Sequence, residues 1–433
     1  MRAPDGEGPG PRKRAERARS EPKASGDQEP DVRAERALGL LDPTSLAYWR
    51  DIHGTLAPLR ERWPVVRSTA GDFEVLRHAD VERLLRDPRL RQALQSMLAN
   101  QGIDRGPLFE WWRFLINNYD PPEHTRLRGL VGRAFTPRQV ARVRESIRGI
   151  ANALLDDLLL RGEADLVETF CHELPLAVLC EMLGVAPEDR ARFGQWTSLV
   201  SSAFSAVIPK DSVPAIEAAL VRFDGEVGEL IKRRRARPED DLLDGLIHAE
   251  EAGDRLRPAE LRALVINLLF AGHDTTKALL ANALWTLCAH PGELARLRAD
   301  PTLVASAVEE IARYETPIPS IPRIATEAIE VGGVRIPEGS YIALSVPSAN
   351  RDPRRFEAPD RFDVTRADSR HFTFGFGAHH CVGAAVARAE LHEALAVILE
   401  RRIAFEPTIE RPVWTAFLSA RRPEALPARI SAG

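Results

Sequence analysis

The stretch from Pro258 to His290 sets the scale of whatever this chain builds. Apolar residues recur through it at helical spacing, and no proline follows Pro258. At 1.5 Å per residue such a helix spans roughly 45 Å, the width of a whole domain. Helical spacing also marks Arg142 to Leu160, Leu166 to Leu183, and Ser212 to Arg235. Strand-like runs are fewer. Pro64 to Arg67 and Phe73 to Leu76 flank Gly71-Asp72, which predicts a small hairpin. Ile329 to Ile336 and Tyr341 to Val346 are broken by Gly332-Gly333 and Pro337-Glu338-Gly339. The expectation is one domain over residues 37–433, mainly α with a smaller β region. Residues 1–36 carry mixed charge with almost no large apolar residues, so they are expected to form a disordered extension.

The chemistry of the chain concentrates on Cys381, in Phe374-Gly375-Phe376-Gly377-Ala378-His379-His380-Cys381-Val382-Gly383. Gly375, Gly377 and Gly383 let backbone turn tightly and approach a flat ligand. Backbone N–H groups and the helix predicted from Ala384 to Leu399 can compensate a thiolate. Zinc is the other reading of His379, His380 and Cys381, but it needs a second ligand cluster, and none stands nearby in sequence. The run matches F-G-x-G-x-H-x-C-x-G and resembles the haem-binding loop of the cytochrome P-450 family. The resemblance covers about Leu38 to the C-terminus. It implies the P-450 fold and haem b, iron protoporphyrin IX with Cys381 as axial thiolate, with Phe374, Gly375 and Gly383 around it. A thiolate ligand favours splitting an O–O bond.

Within the long helix lies Ala271-Gly272-His273-Asp274-Thr275-Thr276. Glycine and threonine are poor helix-interior residues. Small Ala271 and Gly272 are expected to open room beside the helix, and Thr275 to bond back to the carbonyl of Ala271. The run is similar to the family's A-G-x-[D/E]-T-T element. The resemblance gives Thr275 the task of steadying bound oxygen and guiding protons, and Asp274 that of carrying protons from solvent.

Glu310 and Arg313 lie three apart in the helical segment Ala305 to Tyr314. They match the family's E-x-x-R element, whose third partner is an arginine in a later loop, here Arg361. These three are expected to brace the cofactor without touching the chemistry. Haem propionates call for converging donors. His124 and Arg128 are one helical turn apart in the segment Asp120 to Arg128, which resembles the one preceding a haem-contacting helix, with Arg126 turned outward. Arg323 matches the family's arginine before a β strand, and His379 completes the set.

Asn267, one turn before Ala271, interrupts an apolar run. It and Phe270 are expected in the substrate pocket, with Ile318, Pro319, Ile321, Phe417 and Leu418, although an amide satisfied by its own helix explains Asn267 equally. A pocket so lined suits a largely apolar small organic molecule. The Leu418 to Pro423 run departs from the Gly-bearing loop frequent in the family.

The whole sequence bounds the partners. Its 433 residues are 44% hydrophobic and 28% charged, with net charge −4, which gives no signature for nucleic acid. The four cysteines lack C-x-x-C spacing, and no apolar run approaches a membrane span, so a cytoplasmic protein is expected. The haem domain uses up the length, so electrons are expected from a ferredoxin with its ferredoxin reductase, steered by Arg126, Arg133, Arg138, Arg142 and Arg144, although a solvated charged helix explains these arginines equally. The implied activity is insertion of one atom of O2 into the substrate. A peroxide-using haem-thiolate enzyme and a non-catalytic haem-binding sensor are the alternatives. The acid–alcohol pair Asp274–Thr275 speaks against both, because neither needs a proton path.

Overall fold

A computed structural model describes residues 38–433 apart from 136, 206, 252–255 and 418–419, and the backbone alone of 95, 137, 138, 250 and 251. The expected N-terminal extension and the wall residue Leu418 lie outside the described residues.

The predicted long helix is observed as Pro258–Ala289. The carboxylate of Glu260 accepts from the backbone N–H of Arg257 at 2.7 Å and so caps its start. It is apolar around almost its whole circumference, which makes it a core helix and not a surface one. Helices Glu173–Met182, Arg190–Ser201, Val213–Ala236, Val304–Tyr314 and Ala384–Glu400 pack against it. None of the described helices is long and apolar enough to cross a membrane.

One predicted helix is broken. Leu166 to Leu183 begins as a π-turn, Val167–Cys171, and continues as Glu173–Met182. Pro175 has no N–H to give the carbonyl of Cys171, and His172 N–H bonds five residues back to Val167 at 2.9 Å.

Eleven strands are described: β1 (Leu40–Leu41), β2 (Val65–Ser68), β3 (Phe73–Val75), β4 (Leu90–Gln92), β5 (Glu163–Asp165), β6 (Ser320–Ala325), β7 (Ile329–Val331), β8 (Val334–Ile336), β9 (Tyr341–Ser345), β10 (Ile403–Pro407) and β11 (Pro427–Ala432). The main sheet has the order β1-β2-β3-β9-β6-β4. The predicted hairpin is β2–β3, with Val65 opposite Val75, and β3 runs parallel to β9. Gly332 and Gly333, at φ +56° and +81°, turn β7 back onto β8. β10, β11 and β5 form a small second sheet.

Candidate active site

Cys381 sits where a turn meets a helix. Gly375 and Gly377 have φ +68° and +73°, so the two glycines before the cysteine occupy left-handed backbone. A Cβ on Gly377 would lie 3.2 Å from the carbonyl of Leu85, which shows how closely the loop leans on the N-terminal region. Gly383 differs from expectation. Its φ of −83° is open to any residue, and it serves as the residue preceding helix Ala384–Glu400. Cys381 N–H donates to the Phe374 carbonyl at 2.8 Å and closes the loop. The Cys381 side is exposed, yet surrounding protein pushes the thiol up, opposed by the Gly383 N–H and by Arg128 and Arg388.

The loop is braced from behind. Glu310 and Arg313 are wholly buried, with Nε to Oε2 at 2.7 Å and Nη2 to Oε1 at 2.8 Å. Arg313 Nη1 also donates to the Asn350 carbonyl at 2.9 Å. Asn350 then accepts from Phe372 N–H at 2.9 Å and donates to Thr373 Oγ1 at 3.1 Å, directly before the loop. The third member is Arg366, whose Nε lies 3.1 Å from Glu310 Oε2. Arg361 corrects the expectation. It offers only its backbone carbonyl to Arg313, at 3.4 Å, while its exposed side chain pairs with Asp363. The turn around Asp363 aims Arg361 at solvent and Arg366 at Glu310. Arg388 adds a strut. It stands 4.2 Å over the Phe374 ring and pairs with Glu309 at 2.6 Å.

The four expected propionate ligands gather around this loop. His124 and His379 rings pack at a tilt with centroids 3.8 Å apart, and Arg128 Nη2 donates to the His380 carbonyl at 2.5 Å. Arg323, 3% exposed on β6, reaches Gln92 Oε1 at 3.2 Å. Burial pulls its guanidinium down to about 10, and burial with the nearby cations pulls His379 down to about 3. Neither arginine has an ion-pair partner among the described residues. A buried guanidinium without an anion is costly, so this side-chain set fits a group that brings two carboxylates beside a cysteine. Arg126 is turned outward as expected, against Glu123 and Glu260.

On the central helix, solvent reaches only three residues between Ala263 and Leu284: Ala271, Gly272 and Thr275. Thr275 Oγ1 donates to the Ala271 carbonyl at 2.7 Å, the predicted back-bond. Gly272 has a second role. A Cβ there would meet Leu179 at 3.0 Å, so its smallness also lets the neighbouring helix approach. Asp274 is buried, and burial raises its carboxyl, opposed by Arg422 and Lys277. Lys277, itself buried, pairs with Glu168 at 2.8 Å.

The expected wall residues fall in two groups. Ile318 and Ile321 pack on the core beneath the main sheet. Phe270 stacks on Phe204 at 4.3 Å and meets Trp111 edge-on at 6.3 Å, while Phe417 pairs through backbone with Ser205. Asn267 is buried on the same helix as Phe270. Trp111 and Phe204 carried no periodic signal in the sequence and emerge only from the chain path. The expected basic patch is largely neutralised: Arg142 pairs with Asp240 and Arg144 with Glu393, and Arg126 and Arg133 are engaged as well. The side chain of Arg138 lies outside the described residues.

Comparisons with known proteins identify the family. The family model described as Cytochrome P450 matches residues 206–412. The chain is similar to "Cytochrome P450 107B1" of Saccharopolyspora erythraea, 40% identical over 89% of this chain and 96% of that protein. It is also similar to "Cytochrome P450 monooxygenase PikC" of Streptomyces venezuelae, 38% identical over 88% and 92%. Among solved structures, that of CYP109Q5 from Chondromyces apiculatus superposes with a TM-score of 0.81 at 35% identity, covering 91% of this chain and 99% of that one. The chain therefore belongs to the cytochrome P-450 family of oxygen-inserting, haem-thiolate oxidoreductases.

Proposed function

We propose that the protein is a cytoplasmic monooxygenase that uses haem b to insert one atom of O2 into a largely apolar small organic molecule. The observation that carries this reading is the set of buried Arg323 and His124 with half-buried Arg128 and His379 around the Cys381 loop, in which neither arginine has an ion-pair partner among the described residues. When bound, haem supplies oxygen activation, and a thiolate ligand favours O–O cleavage. Cys381 would ligate the iron, the four basic residues would hold the propionates, and Phe374, Gly375 and Gly383 shape the loop. Glu310, Arg313 and Arg366 keep that loop in place.

Asp274 carries a proton from solvent toward Thr275, whose hydroxyl hands it on at the opening beside Ala271. Burial that raises the Asp274 carboxyl supports this task, because the acid then takes up a proton more readily than a solvated aspartate. Asn267, Phe270, Ile318, Ile321 and Phe417 form the substrate wall, and the apolar character of all but the Asn267 amide supports a largely apolar substrate. Electrons come from a ferredoxin and its reductase. Exposed Arg86, which stands 4.1 Å over the Phe376 ring, and exposed Arg370 give the loop side a positive rim suited to an acidic donor. Four free cysteines fit a reducing compartment.

The test uses purified, haem-loaded protein. Reduction under carbon monoxide is expected to give the red-shifted absorption of a thiolate-bound iron, and Cys381→Ser to lose it. Absorption typical of a nitrogen ligand in the native protein overturns the reading. Turnover supported by peroxide but never by ferredoxin, reductase and O2 favours the peroxide-using alternative.

A further inference from the structure

Four segments far apart in sequence meet at one buried carboxylate, Glu315. Its Oε1 accepts from Arg421 Nη1, and its Oε2 lies 3.3 Å from His53 Nε2 and 3.7 Å from Arg351 Nη2. Burial and Arg351 push His53 down to about 4, so at neutral pH it is uncharged, while Arg351 is shared between Glu315 and Asp360, the latter at 3.3 Å. Arg421 is 3% exposed and reaches further. Its guanidinium donates to the Trp49 carbonyl at 3.4 Å and stands 3.8 Å over the Trp414 ring. Its backbone N–H donates to the Pro317 carbonyl at 2.8 Å. Asn282, from the central helix, donates to the carbonyls of both Glu315 and Arg421, at 3.0 and 3.1 Å.

These bonds fall at the base of a hairpin-like loop. Thr415 N–H donates to the Arg422 carbonyl at 2.9 Å, and Trp414 pairs with Pro423. Beyond that base the chain runs out to Phe417, whose backbone meets Ser205 next to the Phe204–Phe270 stack. Pro317 immediately precedes the other wall residue, Ile318. The same arginine therefore holds the roots of both wall segments, while its own side chain stays outside the wall.

We propose that Arg421 is a positioning residue that sets the reach of Phe417 and its distance from Ile318, and thereby the size of molecule the enzyme accepts. This rests on the reading of Phe417 as a wall residue. Loss of the clamp is expected to act on the wall more than on the iron side, so bulky and small ligands respond differently.

The experiment titrates haem-loaded native protein, Arg421→Met, Arg421→Lys, Phe417→Ala and the Arg421→Met/Phe417→Ala double variant with imidazole and with clotrimazole, reading the Soret shift. Imidazole needs only access to iron, and clotrimazole also needs the wall. Arg421→Met is expected to weaken clotrimazole about tenfold and imidazole by no more than about twofold. Arg421→Lys falls between, and Arg421→Met adds little in the Phe417→Ala background. A general loss of stability would weaken both ligands alike, so an unchanged clotrimazole-to-imidazole ratio in Arg421→Met overturns the clamp. If Phe417→Ala still shifts that ratio, the wall reading survives, and if it does not, both fall together. Should Arg421→Met fail to load haem, Asn282→Ala is expected to shift the ratio in the same direction by less, and no shift there also overturns the clamp.

Discussion

The two sides of the candidate site are held in different ways. On the cysteine side, each residue of the brace has several partners: Glu310 takes Arg313, Arg366 and the Asp363 N–H, and Arg313 reaches three further carbonyls. On the substrate side, Phe417 is joined to its neighbour by a single backbone bridge. A thiolate ligand must stay within a few tenths of an ångström of its place, so redundancy suits it. A wall that selects substrates can vary without disturbing that ligand, provided its roots are fixed.

The contrast can be broken most forcefully at Glu310–Arg313. Removing one partner of a wholly buried pair leaves a charge uncompensated, so Arg313→Ala is expected to cost about 3–5 kcal/mol in urea unfolding and to abolish haem loading. Arg366→Ala is expected to follow it in kind, whereas Arg361→Ala, at an exposed pair, should stay within about 0.5 kcal/mol. Equal effects from Arg361 and Arg366 would reverse the assignment of the third partner.

Next in size is Thr275→Ala, which removes the hydroxyl and one methyl from a partly exposed position. It is expected to lower product formed per O2 consumed while substrate affinity and unfolding midpoint hold. Unchanged coupling would take Thr275 out of the proton path.

The smallest effect sharpens the cysteine side itself. Glu390, on helix Ala384–Glu400, is buried and its Oε2 has no hydrogen-bond partner, and burial pushes it up to about 8. An unfolded glutamate titrates near 4.3. Between those values the folded state holds a proton that the unfolded state has released, so stability falls as pH rises from about 4 to about 8. Glu390→Gln is therefore expected to raise the urea midpoint relative to native protein at pH 8 and to lose that advantage at pH 4.5. A gain of the same size at both values would mean that ionisation of Glu390 is not what destabilises the native chain.

Much of the cysteine side was legible because its signals are local. Glycine spacing announced the loop, and the four-residue step from Thr275 to Ala271 announced the back-bond. The pair Glu310 and Arg313 is one helical step. Legibility failed where a contact depends on how far a loop travels: Arg361 and Arg366 are equally arginines five residues apart, and only the turn at Asp363 decides which one faces Glu310. The break at Pro175 was a local signal overridden by a strong apolar periodicity. The Trp111–Phe204–Phe270 set and the Arg421 clamp join distant segments, and nothing in their immediate sequence points to the partner.

The parallel pairing of β3 with β9 has a consequence for biosynthesis. Phe73 lies opposite Ile342, and Arg323 of β6 rests against Gln92 of β4, so the early strands wait for partners made much later on the ribosome. Such distant pairing slows folding and leaves apolar strand edges uncovered in the meantime. Haem capture is thus a late event, and slowing translation after residue 100 should lengthen the time a nascent chain depends on chaperones.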